Sequence, residues 1–345
     1  MTLTDRLGID RPILQAPMAG VQGSALAAAV SATGALGALP CAMLGPDAMA
    51  DELALIRQRT ARPLNVNFFC HTPPELDGDR QVRWHAALAP YYAEFGLDID
   101  SVASGPGRRP FDHEACDSLE AFRPEVVSFH FGLPAPELLE RVKAWGAVVL
   151  SSATTVEEAL WLEARGVDAV IAQGLEAGGH RGMFLSDELT TQVGTFALLP
   201  QIVAAVEVPV IAAGGIANAR GVTAALALGA SAVQVGTAFL CCPEAATSAL
   251  HRQALQSDAA CHTALTNLYS GRPARGILTR LMRELGPISA AAPAFPLATA
   301  AIAPLRAAAE AQGSGDFSPL WAGQNARGCR EVSAAEVVEA LATGR

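Results

Sequence analysis

The segment Glu176-Ala177-Gly178-Gly179-His180-Arg181-Gly182 sets one histidine among three glycines, with no apolar run around it. A core histidine normally sits on an apolar helix or strand face. This one reads as a residue of a flexible loop, where a neutral imidazole can take an acidic proton from a substrate carbon. His180 is therefore the first candidate for a catalytic base. His130, at the end of the apolar run Val126–Phe131, is the second, with a structural role equally open. His71, His85, His113, His251 and His262 read as surface or lid residues.

Side-chain amides recur at the ends of apolar runs: Asn65 and Asn67 two apart, then Gln173, then Gln234. A buried amide needs a partner. Another amide or a buried water would serve, and so would the pyrimidine edge of a flavin, which offers both donors and acceptors. Gly214-Gly215 and Gly236-Thr237 follow two consecutive runs. Glycines there let a phosphate approach backbone N–H groups, although Gly-Gly also makes tight turns. The stretch Asn267–Arg275 carries a phenol, a hydroxyl and the guanidinium groups of Arg272 and Arg275, which suit an anionic substrate or helix capping. Tyr269 and Ser270 are its substrate-binding candidates.

Eight short apolar runs must position these groups: Ile13–Ala16, Ala35–Leu39, Leu64–Phe69, Val126–Phe131, Ala147–Ser151, Ala169–Gln173, Val208–Ala212 and Ala232–Gly236. Helical segments such as Pro46–Arg59, Pro136–Trp145, Val156–Arg165, Phe196–Val206 and Ala219–Leu228 lie between them. Strands alternating with helices in one sense make a parallel sheet. Eight units without a dominant linker favour an α/β fold of the (β/α)8 TIM-barrel type over a doubly wound sheet. Active sites of such barrels lie at the C-terminal strand ends, where the candidates above fall. The barrel is expected from residues 1–70 and 124–250, with a long insertion, 71–123, after the third strand. That insertion includes the Gly105–Pro110 loop. Residues 251–345 are expected to form a C-terminal extension that packs on the barrel mouth as a lid.

With 51 % hydrophobic and 17 % charged residues, the chain has ample material for a large core. The formal net charge of −10 argues against nucleic acid or anionic membranes as partners. The charge-free stretch from Val222 to Cys242 breaks into helix, turn and buried strand rather than a membrane span. No signal-peptide pattern opens the chain, and seven scattered cysteines suit reduced thiols in a cytoplasmic protein. His113 and Cys116 lack a second ligand pair, so no metal is expected.

In order and spacing, Gln15-Ala16-Pro17-Met18, Asn65-Val66-Asn67-Phe68, Ser128–Gly132, Glu176–Gly182, Ala212–Ile216 and Gln234–Thr237 resemble the nitronate monooxygenases. Tyr269-Ser270-Gly271 and Trp321–Gln324 match later motifs of that family. The resemblance is to the bacterial and fungal class and spans nearly the whole chain. It implies FMN, held by the backbone of Ala16, Pro17 and Met18, by Asn67 and Gln173, and by glycine loops at Gly178, Gly179, Gly214 and Gly215. Gln234, Val235, Gly236 and Thr237 complete that set. It further implies that His180 is the base in oxidising a small nitro substrate, a nitroalkane or its nitronate, with O2. The products would be a carbonyl compound and nitrite, formed through a flavosemiquinone. The sequence leaves monomer and homodimer open.

An FMN- and NAD(P)H-dependent enoyl-acyl carrier protein reductase is the alternative, since it shares barrel and loops. A sugar-phosphate isomerase or synthase without flavin lacks the Lys or carboxylate pair it would need at the strand ends. A non-catalytic flavin protein leaves His180 without a purpose.

Overall fold

Burial of the eight apolar runs on both faces gives eight parallel strands: β1 (Ile13–Gln15), β2 (Gly37–Pro40), β3 (Leu64–Phe69), β4 (Val126–His130), β5 (Val148–Ala153), β6 (Ala169–Gln173), β7 (Val210–Ala213) and β8 (Ala232–Val235). Their limits differ from the sequence reading by at most two residues at either end. The computed structural model describes residues 1–102 and 108–343. Each strand pairs with its sequence neighbour, and β8 pairs with β1. A parallel bridge between Leu14 and Leu36, with Gln15 N–H donating to Leu36 O at 2.8 Å, closes the ring between β1 and β2. The closed (β/α)8 barrel is thus established.

Alternation along each strand sorts the side chains. On β3, Leu64, Val66 and Phe68 join the outer core against the helices. Asn65, Asn67 and Phe69, on the opposite face, turn into the barrel. Below the amides, Leu14, Leu150, Ile171 and Ile211 fill the lumen, and the short helix Leu3–Leu7 seals its floor with Leu3 and Leu7. The joints ending at Gly166 and Gly229 look alike in sequence and are alike in structure: both glycines are left-handed, at φ +79° and +97°. The stretch from Val222 to Cys242 resolves into helix, strand β8 and a 3-10 turn, as expected. Among the described residues no helix is long and apolar enough to cross a membrane.

The segment after β3 contributes the helix Gly78–Glu94, which buries Trp84, Leu88 and Tyr92 against Ile302, Leu305 and Phe317 of the C-terminal region. Tyr92 donates its hydroxyl to Ala301 O at 2.7 Å. This second core stands beside the barrel mouth. Of the Gly105–Pro110 loop, residues 105–107 lie outside the described residues. The last helix, Ala334–Ala342, departs from the expectation of an extension wholly at the mouth. Val337, Val338 and Leu341 join the barrel's outer core. Its apolar stripe covers barrel wall that water would otherwise reach, between the helices Ser24–Ala32 and Ala219–Ala227.

Candidate active site

A cleft opens at the C-terminal ends of the strands. Its floor and walls come from Ala16, Pro17 and Met18 after β1, from Asn67 of β3, and from Ser128 and His130 of β4. Across the mouth, Gly214 and Gly215 follow β7, while Gln234, Gly236 and Thr237 follow from β8. Gln173, Gly178, Gly179 and His180 complete one side. The C-terminal region adds Trp321 and Asn325.

His180 is not on a free loop. Gly179 and His180 form the third strand of a small antiparallel sheet with Thr263–Thr266 and Ala274–Ile277, with His180 opposite Ala274. Arg181 N–H donates to Pro273 O at 2.8 Å and continues the pairing. Nor does the imidazole lack apolar company. Phe69, Phe131, Phe295 and Trp321 all place their rings within 6.1 Å of it, centroid to centroid. The four rings come from three distant parts of the chain, so local sequence carried no sign of them. His180 Nε2 lies 2.9 Å from Ser270 Oγ, and Ser270 Oγ donates to Arg272 O at 3.4 Å. Desolvation, then the nearby Arg108 guanidinium, holds the imidazole well below its ordinary pKa. It is neutral at pH 7.

Gln173 serves the same segment. Its Nε2 donates to His180 O at 2.9 Å and its Oε1 accepts Gly182 N–H at 2.7 Å. Both ends of this amide are thus engaged by the chain. Arg181 is fully buried and chelates Gln173 O and Gly174 O, both at 2.7 Å, and Gln192 Oε1 at 3.0 Å. His130 lies beneath His180: its Nδ1 is 3.0 Å from Ser152 Oγ and its Nε2 is 3.2 Å from His180 O. Burial lowers its pKa to about 3. Both ring nitrogens are occupied, which suits support of the base rather than proton transfer.

Three expected site residues stand elsewhere. Val235 points into the outer core, because one step along a strand reverses the face, and only its backbone is near the cleft. Tyr269 is buried in the second core with its hydroxyl 2.5 Å from Thr279 Oγ1. Ser270 reaches the site only through His180. Neither guanidinium group considered for an anionic substrate lines the cleft. Arg272 donates to Met183 O and stacks over Phe131 at 4.2 Å. Arg275 donates to Leu175 O and Thr263 Oγ1. The charged side chain that does line the cleft is Arg108, from the segment after β3. Its sequence context, two arginines in a Pro/Gly-rich stretch, gave no reason to place it there.

The residues present fit a flavin. Among the described residues, Gln234 has a buried amide oxygen with no partner at the cleft wall, and no carboxylate lines the cleft. An N–H of the ring would satisfy the first, and a phosphate dianion would meet no like charge. Asn67 spends its amide nitrogen on Ser128 O and Oγ at 3.1 and 3.0 Å.

His71 and His251, expected at the surface or in a lid, are both 4 % exposed. Burial lowers each to a pKa of about 4; a backbone carbonyl, Arg108 O or Trp321 O, partly offsets it. The unfolded chain, with ordinary values near 6.5, binds protons the native protein refuses. Their stabilisation is therefore fully present above pH 6.5 and lost as pH falls towards 4, by about 3 kcal/mol each. Calorimetry from pH 7.5 to 4.5 should show Tm falling from about pH 6.5 downward. A Tm independent of pH over that window contradicts the buried neutral state.

A family model described as nitronate monooxygenase matches residues 1–344. The nitronate monooxygenase of Pseudomonas aeruginosa is 43 % identical over 352 residues, covering 98 % of each chain. The structure of nitroalkane oxidase from Streptomyces ansochromogenes superposes with a TM-score of 0.88 at 40 % identity, covering 99 % of this chain and 96 % of that one. FabK from Thermotoga maritima follows at 0.72 and 28 %, covering 99 % and 94 %.

Proposed function

The chain belongs to the nitronate monooxygenase family and is an oxidoreductase of that kind, and on this footing we propose that it uses FMN and O2 to oxidise small nitronates or nitroalkanes to carbonyl compounds and nitrite. The observation that carries the reading is His180: a neutral imidazole, held by Ser270 on a paired strand, facing a cleft lined by glycines and amides and, among the described residues, by no carboxylate.

The backbone at Ala16–Met18 and the glycine turns after β6, β7 and β8 would hold FMN, with Gln234 and Asn67 on its polar edge. Bound there, FMN supplies the electron acceptor and the reactivity towards oxygen. The chain supplies the rest. With the Ser270 proton directed to Arg272 O, Ser270 Oγ accepts from His180 Nε2–H and leaves Nδ1 as the basic nitrogen. That nitrogen takes the α-proton of a neutral nitroalkane. For a nitronate no proton need move, and the imidazole only orients the substrate. Phe69, which lines the cleft and packs on Phe131 and Phe295, accommodates a short alkyl group and excludes water.

The purified protein should be yellow, and anaerobic ethyl nitronate should change its flavin spectrum while NADH does not. Bleaching by NADH with no response to nitronate selects the reductase alternative. A colourless protein that cannot take up FMN removes the flavin reading altogether.

A further inference from the structure

We propose that Arg108 is the substrate-charge sensor of this site: its guanidinium binds the anionic oxygens of the nitronate and makes the enzyme select the anion over the neutral nitroalkane. The proposal deepens the functional reading above and rests on it.

The chain is strongly acidic, with a formal net charge of −10, yet among the described residues the only formally charged side chain lining its cleft is a cation. Low-dielectric walls focus that charge on whatever enters. Arg108 also differs from its neighbour. Arg109 pairs with Glu114 at 2.8 Å in the open. For Arg108 no carboxylate lies within ion-pair distance among the described residues; its side chain meets Thr299 Oγ1 at 3.4 Å and the Phe295 ring at 5.6 Å. A half-buried guanidinium with one weak hydrogen-bond partner retains unused donors, and a planar fork of N–H groups matches two oxygens on one nitrogen.

Placement agrees with this use. Arg108 follows β3, which lies across the barrel from the glycine turns after β7, so its charge falls on the substrate side rather than the phosphate side. Of the charges acting on the His180 imidazole it has the largest effect. His71, on the other side, fixes the Arg108 backbone through Nε2 at 3.0 Å from the carbonyl. Phe69, which lines the cleft beside His180, receives the alkyl part.

The test compares wild type with Arg108→Met and Arg108→Lys, each purified with its flavin. Inorganic nitrate, planar and unreactive, is the binding probe, titrated calorimetrically and as an inhibitor. Arg108→Met should raise the KM for ethyl nitronate roughly 10- to 100-fold, as expected for a lost charge-assisted contact. The KM for nitroethane should move less than about threefold, nitrate binding should vanish, and Arg108→Lys should recover part of both. Equal changes in KM for the two substrates, or nitrate binding that survives in Arg108→Met, overturn the proposal. If wild type oxidises no nitronate, the functional reading fails. The nitrate titration still decides whether Arg108 binds anions, and Arg108→Lys decides it if the Met variant does not fold.

Discussion

Replacing His180 by Asn lowers kcat/KM for nitroethane by roughly 10²- to 10⁴-fold, the usual worth of a positioned general base, and lowers that for ethyl nitronate by less than about tenfold. The asymmetry follows from the proton. The neutral nitroalkane must lose one before it can be oxidised, whereas the nitronate arrives without it. Asparagine keeps the polarity of the position and, in its short amide, a group able to face Ser270, but has no basic nitrogen. His180 is already neutral at pH 7 because desolvation and Arg108 disfavour the imidazolium, so the wild-type protein should gain no further base when the pH is raised. Steady-state kinetics on the two substrates at matched flavin content check this. Equal losses on both would reduce His180 to a structural residue.

The second large effect is expected at Gly178. A Cβ there would lie 2.5 Å from Gly323 N and 2.6 Å from Ala322 C, both backbone atoms that cannot rotate away. The strap they belong to is tied across the cleft. Gly323 N–H donates to Thr237 Oγ1 at 3.0 Å, Gln324 N–H to Glu176 O at 2.9 Å, and Asn325 Nδ2 to Gly215 O at 2.8 Å. Gly178→Ala therefore displaces the strap and loosens two of the glycine turns proposed to hold the cofactor. Overpacking of this kind costs about 1–3 kcal/mol, and flavin affinity should fall at least about tenfold. Gly179→Ala is the control. Its φ is +71° but nothing lies within 4 Å of the added Cβ, so only left-handed strain of about 1–2 kcal/mol is incurred. Flavin retention and Tm of the two variants distinguish a packing role from simple backbone freedom. Equal effects would show that the close approach to the strap is not what Gly178 is for.

Much of the barrel was legible before any coordinates. Short apolar runs and glycine-ended helices mark the αβ joints locally, and Gly166 and Gly229 show the same left-handed turn at both copies. Site candidates at strand ends were legible for the same reason. Once Asn67 and Gln234 are placed on strands, alternation and the barrel's polarity put them at the mouth. Where a residue lay one step off, as with Val235, the same alternation removed its side chain from the cleft.

What the chain determined by itself, then, is the set of strands, their direction, and which strand ends carry amides, glycines and histidines. These are properties of windows a few residues long, governed by backbone sterics and hydrophobic periodicity. Tertiary structure alone decided how that chemistry is held and charged. It turned a glycine-rich loop into a strand by pairing His180 with Ala274, set Ser270 against the imidazole, ringed it with four aromatic side chains, and brought Arg108 into a cleft that no acid lines among the described residues. Each of these joins segments far apart along the chain. Such contacts form only when burial of both segments outweighs the entropy of bringing them together, a balance no short window records.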